Sequence, residues 1–182
     1  MDNIFEQGTG KINIFIINKV KGQVDKNYTT TNLKQTQKIG KILAKEIISA
    51  QGGPASGGKS AVVLAMYGNL GGGKTTFLQG FAEGLGIKEK ILSPTFVILK
   101  HFKMTNKNFT DFYHIDCYRL NDHKDILELD FKEIIKNPKN IVAVEWPEKI
   151  REVLPENIIE INFSFIDENT RELQIKKQTG TL

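Results

Sequence analysis

The chain has 182 residues, a formal net charge of +4 and 40% hydrophobic residues, which predicts one domain over 1–182 with enough apolar content to bury a core. The mild charge permits contact with RNA without arguing for it. No apolar run approaches a membrane span, Met1-Asp2-Asn3-Ile4-Phe5-Glu6 lacks a signal-peptide pattern, and Cys117, the only cysteine, excludes an intramolecular disulfide and a thiolate zinc site. A soluble cytoplasmic protein is expected.

Lys11 to Val20 carries Ile12, Ile14, Phe15, Ile16 and Ile17 and predicts a first strand. Lys21 to Thr30 is polar and reads as loop. Asn32 to Ala50 predicts a helix, with Ile39, Ile42, Leu43 and Ile47 on one face. Thr31 or Asn32 can cap it, and Gln35 is placed like the far end of a capping box. Lys34, Lys38, Lys41 and Lys45 fall opposite the apolar face. They form either its solvated side or a contact surface for an acidic partner or tRNA. Residues 51–60 read as a Gly/Ser linker.

Ala61 to Tyr67 predicts a strand, and Thr76 to Leu85 a helix with a stop at Gly86. Between them runs Gly68-Asn69-Leu70-Gly71-Gly72-Gly73-Lys74-Thr75, a Walker A phosphate loop in its required strand–loop–helix context. Glycines let several backbone N–H groups converge on phosphate oxygens, and the helix adds its positive end. Lys74 can reach the β- and γ-phosphates, and the Thr75 hydroxyl can bind Mg²⁺. Gly53-Pro54-Ala55-Ser56-Gly57-Gly58-Lys59-Ser60 matches the same pattern, but it lies between a helix and a strand, the reverse order. It is not expected to bind phosphate.

Ser93-Pro94-Thr95-Phe96 is a turn feeding a strand to Lys100, and Asn106-Lys107 turns into a strand over Asn108 to Tyr118. Asp122 can cap a helix running to about Lys136. Asn140 to Glu145 predicts a buried strand, Glu148 to Val153 a short helix, and Asn157 to Phe165 with Arg171 to Lys177 a hairpin. Asp116 and Glu145 each close an apolar strand. A carboxylate at that end of an α/β sheet points into the ligand crevice. Thr95 is a candidate switch threonine for a γ-phosphate and its Mg²⁺. His114 could orient Asp116, bind a partner or be structural. Trp146 packs, or lies beside the nucleotide. No Asn-Lys-x-Asp or Asp-x-x-Gly motif occurs, which favours ATP over GTP. Arg119, Arg151 and Arg171 are the only arginines, too few for the phosphate clamp usual in a small-molecule kinase.

Four blocks together resemble the TsaE family, the bacterial ATPase of threonylcarbamoyladenosine synthesis on tRNA. They are Gly68 to Phe77, Ser93 to Phe96, His114-Ile115-Asp116-Cys117-Tyr118-Arg119-Leu120 and Glu145-Trp146-Pro147-Glu148. The resemblance spans roughly residues 30–177. It implies phosphate binding by Lys74 and the loop from Asn69 through Leu70, Gly71, Gly72, Gly73 and Thr75 to Thr76. It implies Mg²⁺ on Thr75, a switch role for Thr95, and support of Mg²⁺ and the attacking water by Asp116 and Glu145. Trp146 would lie near the site. It further implies action with TsaD and TsaB, with tRNA contact indirect. Asn69 and Gly72 stand where the family commonly has Asp and Ala.

The expected fold is an α/β P-loop NTPase domain, with a mainly parallel central sheet, antiparallel additions and a C-terminal β-hairpin. The expected function is a Mg²⁺-dependent ATPase, slow alone. The alternatives are a kinase for a small metabolite and a non-catalytic nucleotide-sensing module.

Overall fold

The computed structural model describes residues 13–20, 23–49, 59–92, 98–120 and 122–178. Its sheet has eight strands in the order β1-β2-β8-β7-β3-β6-β5-β4. They are β1 (Asn13–Val20), β2 (Gln23–Thr30), β3 (Val62–Tyr67), β4 (Leu99–Lys103), β5 (Asp111–Asp116), β6 (Asn140–Glu145), β7 (Ile159–Phe165) and β8 (Arg171–Gln178). The central strands β7, β3, β6 and β5 run parallel. The flanks are antiparallel: β4 on β5 at one edge, and β8, β2 and β1 beyond β7 at the other. This is the expected P-loop architecture, including the β7–β8 hairpin.

The central strands are apolar because both faces are covered. All six residues of β6 are buried. Ile141 and Ala143 face one core with Leu64, Met66 and Phe112, and Val142 and Val144 face the other with Val63 and Ile115. Two helices close the first core: α1 (Leu33–Ser49) and α2 (Lys74–Gly84). Ile39, Leu43, Ala44 and Ile47 of α1 and Phe77, Leu78, Phe81 and Ala82 of α2 are buried there. The second core lies under α3 (His123–Leu127), α4 (Phe131–Lys136) and a 3₁₀ segment, Pro147–Val153.

α1 and α2 approach so closely that backbone touches backbone. A Cβ on Gly40 would fall on the Phe77 carbonyl, and one on Gly80 would fall on the Gln37 carbonyl. The contact presses α2 against α1 and holds the start of α2, where the phosphate loop ends.

Three sequence expectations need correction. Residues 23–30 form β2, not a loop. The segment is polar, but it is hydrogen-bonded to β1 on one side and β8 on the other, with Tyr28 and Thr30 buried. Tertiary pairing overrides its loop-like composition. The helix expected from Asp122 to Lys136 is two helices. Asp122 caps the first with a capping box to Asp125, but Asp130 takes φ 55 and breaks the run. The strand expected over Asn108 to Tyr118 is shorter, Asp111–Asp116. Asn106 instead accepts the backbone N–H groups of Asn108 and Phe109 at 2.8 and 3.1 Å, and that turn occupies the residues before the strand.

The cap of α1 is Asn32, whose Oδ1 accepts from the Gln35 N–H at 3.0 Å, while Gln35 Oε1 accepts from the Thr31 N–H at 2.7 Å. Of the lysine row on α1, Lys34, Lys38 and Lys45 are exposed and Lys41 pairs with Glu83 of α2. Of the linker, residues 51–58 lie outside the described residues, and Lys59 and Ser60 lead into a strand, as the rejected second loop match requires. Among the described residues no helix is long and apolar enough to cross a membrane.

Gly80→Ala tests the helix contact. The added methyl meets backbone, which cannot rotate away, so urea unfolding should show a loss of about 1–3 kcal/mol or more. A loss below about 0.5 kcal/mol, within the range of an ordinary surface change, would mean that the helices separate freely.

Candidate phosphate site

The loop after β3 has the shape that its glycines allow. Gly68 takes φ 133, Gly71 φ 76 and Gly73 φ 100. Gly68 also passes so close to Phe163 of β7 that a Cβ would strike its carbonyl. Gly73 is the left-handed N-cap of α2 and offers no side-chain cap, so the helix's first N–H groups are left for a ligand.

Lys74 is the first residue of α2 and is only 5% exposed. Its Nζ donates to the carbonyls of Gly68 at 2.6 Å and Asn69 at 3.0 Å, and lies 4.5 Å from the centroid of the Trp146 ring. Burial lowers its proton affinity from the ordinary value, and the charges of Glu145, Asp116 and Glu148 oppose that shift. Trp146 reaches it through a left-handed backbone, φ 58 and ψ 49, directly after β6, and its ring leans on Tyr118 with centroids 5.1 Å apart.

Parallel pairing of β5 with β6 sets Asp116 directly opposite Glu145, and each residue is 3% exposed. Asp116 Oδ1 accepts from the Tyr118 N–H at 3.0 Å. His114, fully buried, lies with Nε2 2.8 Å from Glu145 Oε1, and its Nδ1 has no hydrogen bond. Nε2 is the donor in this contact, because a carboxylate oxygen only accepts. Cys117, between the two site residues Asp116 and Tyr118, is sealed from solvent, and burial with the nearby carboxylates pushes its thiol up to about 12.

Lys74, Asp116, Tyr118, Glu145 and Trp146 line one cavity of about 400 Å³. Of the residues marked in the sequence, Leu70, Gly71, Gly72, Gly73, Lys74, Thr75, Thr76, Asp116, Glu145 and Trp146 reach its wall. Asn69 does not; it contributes its carbonyl beneath the loop, to Lys74 and to the Gly72 N–H at 3.1 Å. Thr95 lies outside the described residues. The sequence reading missed the far wall: Leu33 and Thr36 from α1, and Glu168, Asn169 and Arg171 from the β7–β8 turn. No local motif marks them, since strand order alone brings them to the loop. The arrangement offers a cation and backbone donors at its floor and paired carboxylates at one end, a donor set of the kind a polyphosphate requires.

The sequence profile of threonylcarbamoyl adenosine biosynthesis protein TsaE matches residues 30–173. The chain belongs to the TsaE family. It is 36% identical over 146 residues to the Bacillus subtilis (strain 168) tRNA threonylcarbamoyladenosine biosynthesis protein TsaE, covering 80% of this chain and 82% of that relative. It is 32% identical over 152 residues to the Rickettsia typhi protein of the same name, covering 83% and 94%. The crystal structure of Bacillus subtilis YdiB superposes with a TM-score of 0.64 at 30% identity, over 85% of this chain and 86% of that one. Membership of the TsaE family ties the chain to threonylcarbamoyladenosine biosynthesis on tRNA.

The raised Cys117 thiol gives a direct check on how closed this end of β5 is. Thiolate is the reactive form. At pH 8 the native protein should resist iodoacetamide at least about 100-fold more than the urea-unfolded chain. Comparable rates would show that the strand end opens readily.

Proposed function

We propose that this chain is a Mg²⁺-dependent ATP hydrolase, one P-loop domain, which serves tRNA threonylcarbamoyladenosine synthesis in the cytoplasm together with TsaD and TsaB. Contact with tRNA is indirect. The observation that carries the reading is the seating of Lys74 on the Gly68 and Asn69 carbonyls, beside the register-paired Asp116 and Glu145. A phosphate oxygen would replace those carbonyls as the partner of Lys74, with a stronger charge-assisted bond.

The donor set fits Mg²⁺. Thr75 and Asp116 offer the hard oxygen ligands that this ion takes, in the small number it takes from protein beside phosphates and water. Bound there, Mg²⁺ supplies neutralisation of phosphate charge. Glu145 keeps one carboxylate oxygen on His114, and its other oxygen is the group that orients the attacking water. Thr95 would complete the γ-phosphate contacts as the switch residue. In-line attack breaks the bond between the γ-phosphorus and the bridging oxygen, and the charge that develops is held by Lys74 and the loop N–H groups. Little covalent chemistry is asked of the protein, so a slow rate alone and acceleration by partners that complete the site are consistent with one another.

ATP turnover should be measured alone and with TsaD and TsaB, alongside threonylcarbamoyladenosine formation over many cycles. The partners should raise turnover, and EDTA should abolish it. Lys74→Ala should lose nucleotide affinity. Glu145→Gln should keep affinity and lose about 100-fold or more in turnover. Asp116→Asn should raise the Mg²⁺ concentration needed for half-maximal rate. Turnover indifferent to the partners, with modification proceeding equally without this chain, would refute the proposal.

A further inference from the structure

The cavity has two ends, and the sheet order assigns them. On one side of β3 lie β6 and β5, which bring Glu145 and Asp116. On the other lie β7 and β8, whose hairpin brings Arg171. A nucleoside triphosphate that lies in the loop with its terminal phosphate at the carboxylates must send its nucleoside to the Arg171 end.

Arg171 is built to receive it. Its Nε donates to the Gly71 carbonyl at 3.1 Å, and Nη1 donates to the carbonyls of Asp167 and Thr170, at 2.5 and 2.9 Å. One face of the guanidinium lies 4.5 Å from the Phe165 ring centroid. The planar group is thus fixed by three carbonyls and backed by an aromatic ring, while it lines the cavity. Its Nη2 makes no hydrogen bond among the described residues. Leu33, which lines the same cavity, is 66% exposed and adds an apolar surface to it. A flat heteroaromatic ring gains stacking against a guanidinium plane and apolar contact from a neighbouring aliphatic side chain.

We propose that Arg171 is the nucleobase platform of this site. The proposal rests on the nucleotide-binding reading above. The platform differs from a simple phosphate-binding cation in one respect: it acts on the part of the ligand that inorganic triphosphate lacks.

The experiment measures the affinities of wild type, Arg171→Ala, Arg171→Met, Arg171→Lys and Lys74→Ala for ATP and for inorganic triphosphate, with Mg²⁺ present. Calorimetry is the readout, and ligand-free melting checks the fold. Arg171→Ala should weaken ATP about tenfold and change triphosphate by less than about twofold, the scale of one stacked base. Arg171→Met keeps the apolar stem over Phe165 and should behave alike, so the test survives if the alanine variant does not fold. Arg171→Lys should recover only part of the loss, because an ammonium has neither the plane nor the fork. Lys74→Ala should weaken both ligands. Equal weakening of ATP and triphosphate by the Arg171 variants would overturn the platform in favour of a phosphate contact. Unchanged ATP affinity would reduce Arg171 to a structural strap. If wild type bound neither ligand, the nucleotide reading itself would fall. That failure is distinguishable, because it shows before any Arg171 variant is compared.

Discussion

A nearly buried ammonium organises this structure. Lys74 is removed from water at the start of α2, and a buried cation is tolerated only when its donors are met. Two loop carbonyls and the face of Trp146 meet them here. The loop that carries those carbonyls runs through Gly68, Gly71 and Gly73, whose positive φ values a side chain would resist. Trp146 reaches the ammonium only because it too takes a left-handed conformation, at a cost of roughly 1–3 kcal/mol typical of such residues. The strained residue thus lies on one side of the charge, and the glycines, which take positive φ without strain, lie on the other. Burial lowers the proton affinity of Lys74, and the charges of Glu145 and Asp116 oppose that shift.

The rest of the site is a consequence of strand order. Parallel pairing of β3, β6 and β5 carries the loop, Glu145 and Asp116 to the same edge, and register sets the two acids opposite each other. Parallel β7 delivers the chain to that edge on the far side of the loop, and antiparallel β8 starts from it at Arg171, which meets the Gly71 carbonyl. One edge of one sheet therefore supplies both ends of the cavity by two kinds of connection.

This division also explains what could be read in advance. The phosphate loop was legible because its chemistry demands contiguous residues: glycines, then lysine, then a hydroxyl, between a strand and a helix. Asp116 and Glu145 were legible one at a time, as acids closing apolar strands. Their pairing was not, and neither was the contact of His114 with Glu145, 31 residues away, since both depend on the register of β5 and β6. Arg171 lies 100 residues beyond Gly71, and its role exists only through the hairpin. β2 was misread for a related reason. Its Asp25, Lys26, Asn27 and Thr29 are poor strand formers or solvent-facing types, and only its place between β1 and β8 makes them a strand. Asp130 broke a helix whose apolar spacing gave no warning of it.

That misreading matters, because β2 is not an ornament on the sheet. It leads directly into Thr31 and Asn32, the cap of α1, and so decides where α1 begins. At the junction the buried hydroxyls of Thr30 and Thr36 meet at 2.9 Å, and Thr30 also reaches the carbonyl of Arg171 at 3.4 Å. Thr36 in turn lies 3.8 Å from where a Cβ on Gly73 would stand. The end of β2, the first turns of α1 and the start of β8 are thus joined by these hydroxyls, with the Thr36 methyl lying toward the cap of α2. Slipping β2 by one residue would reverse its faces. It would withdraw Thr30 from the junction, misplace Leu33 at the cavity wall and loosen Arg171 at its root. The antiparallel flank therefore shapes the cavity as much as the Walker A residues do.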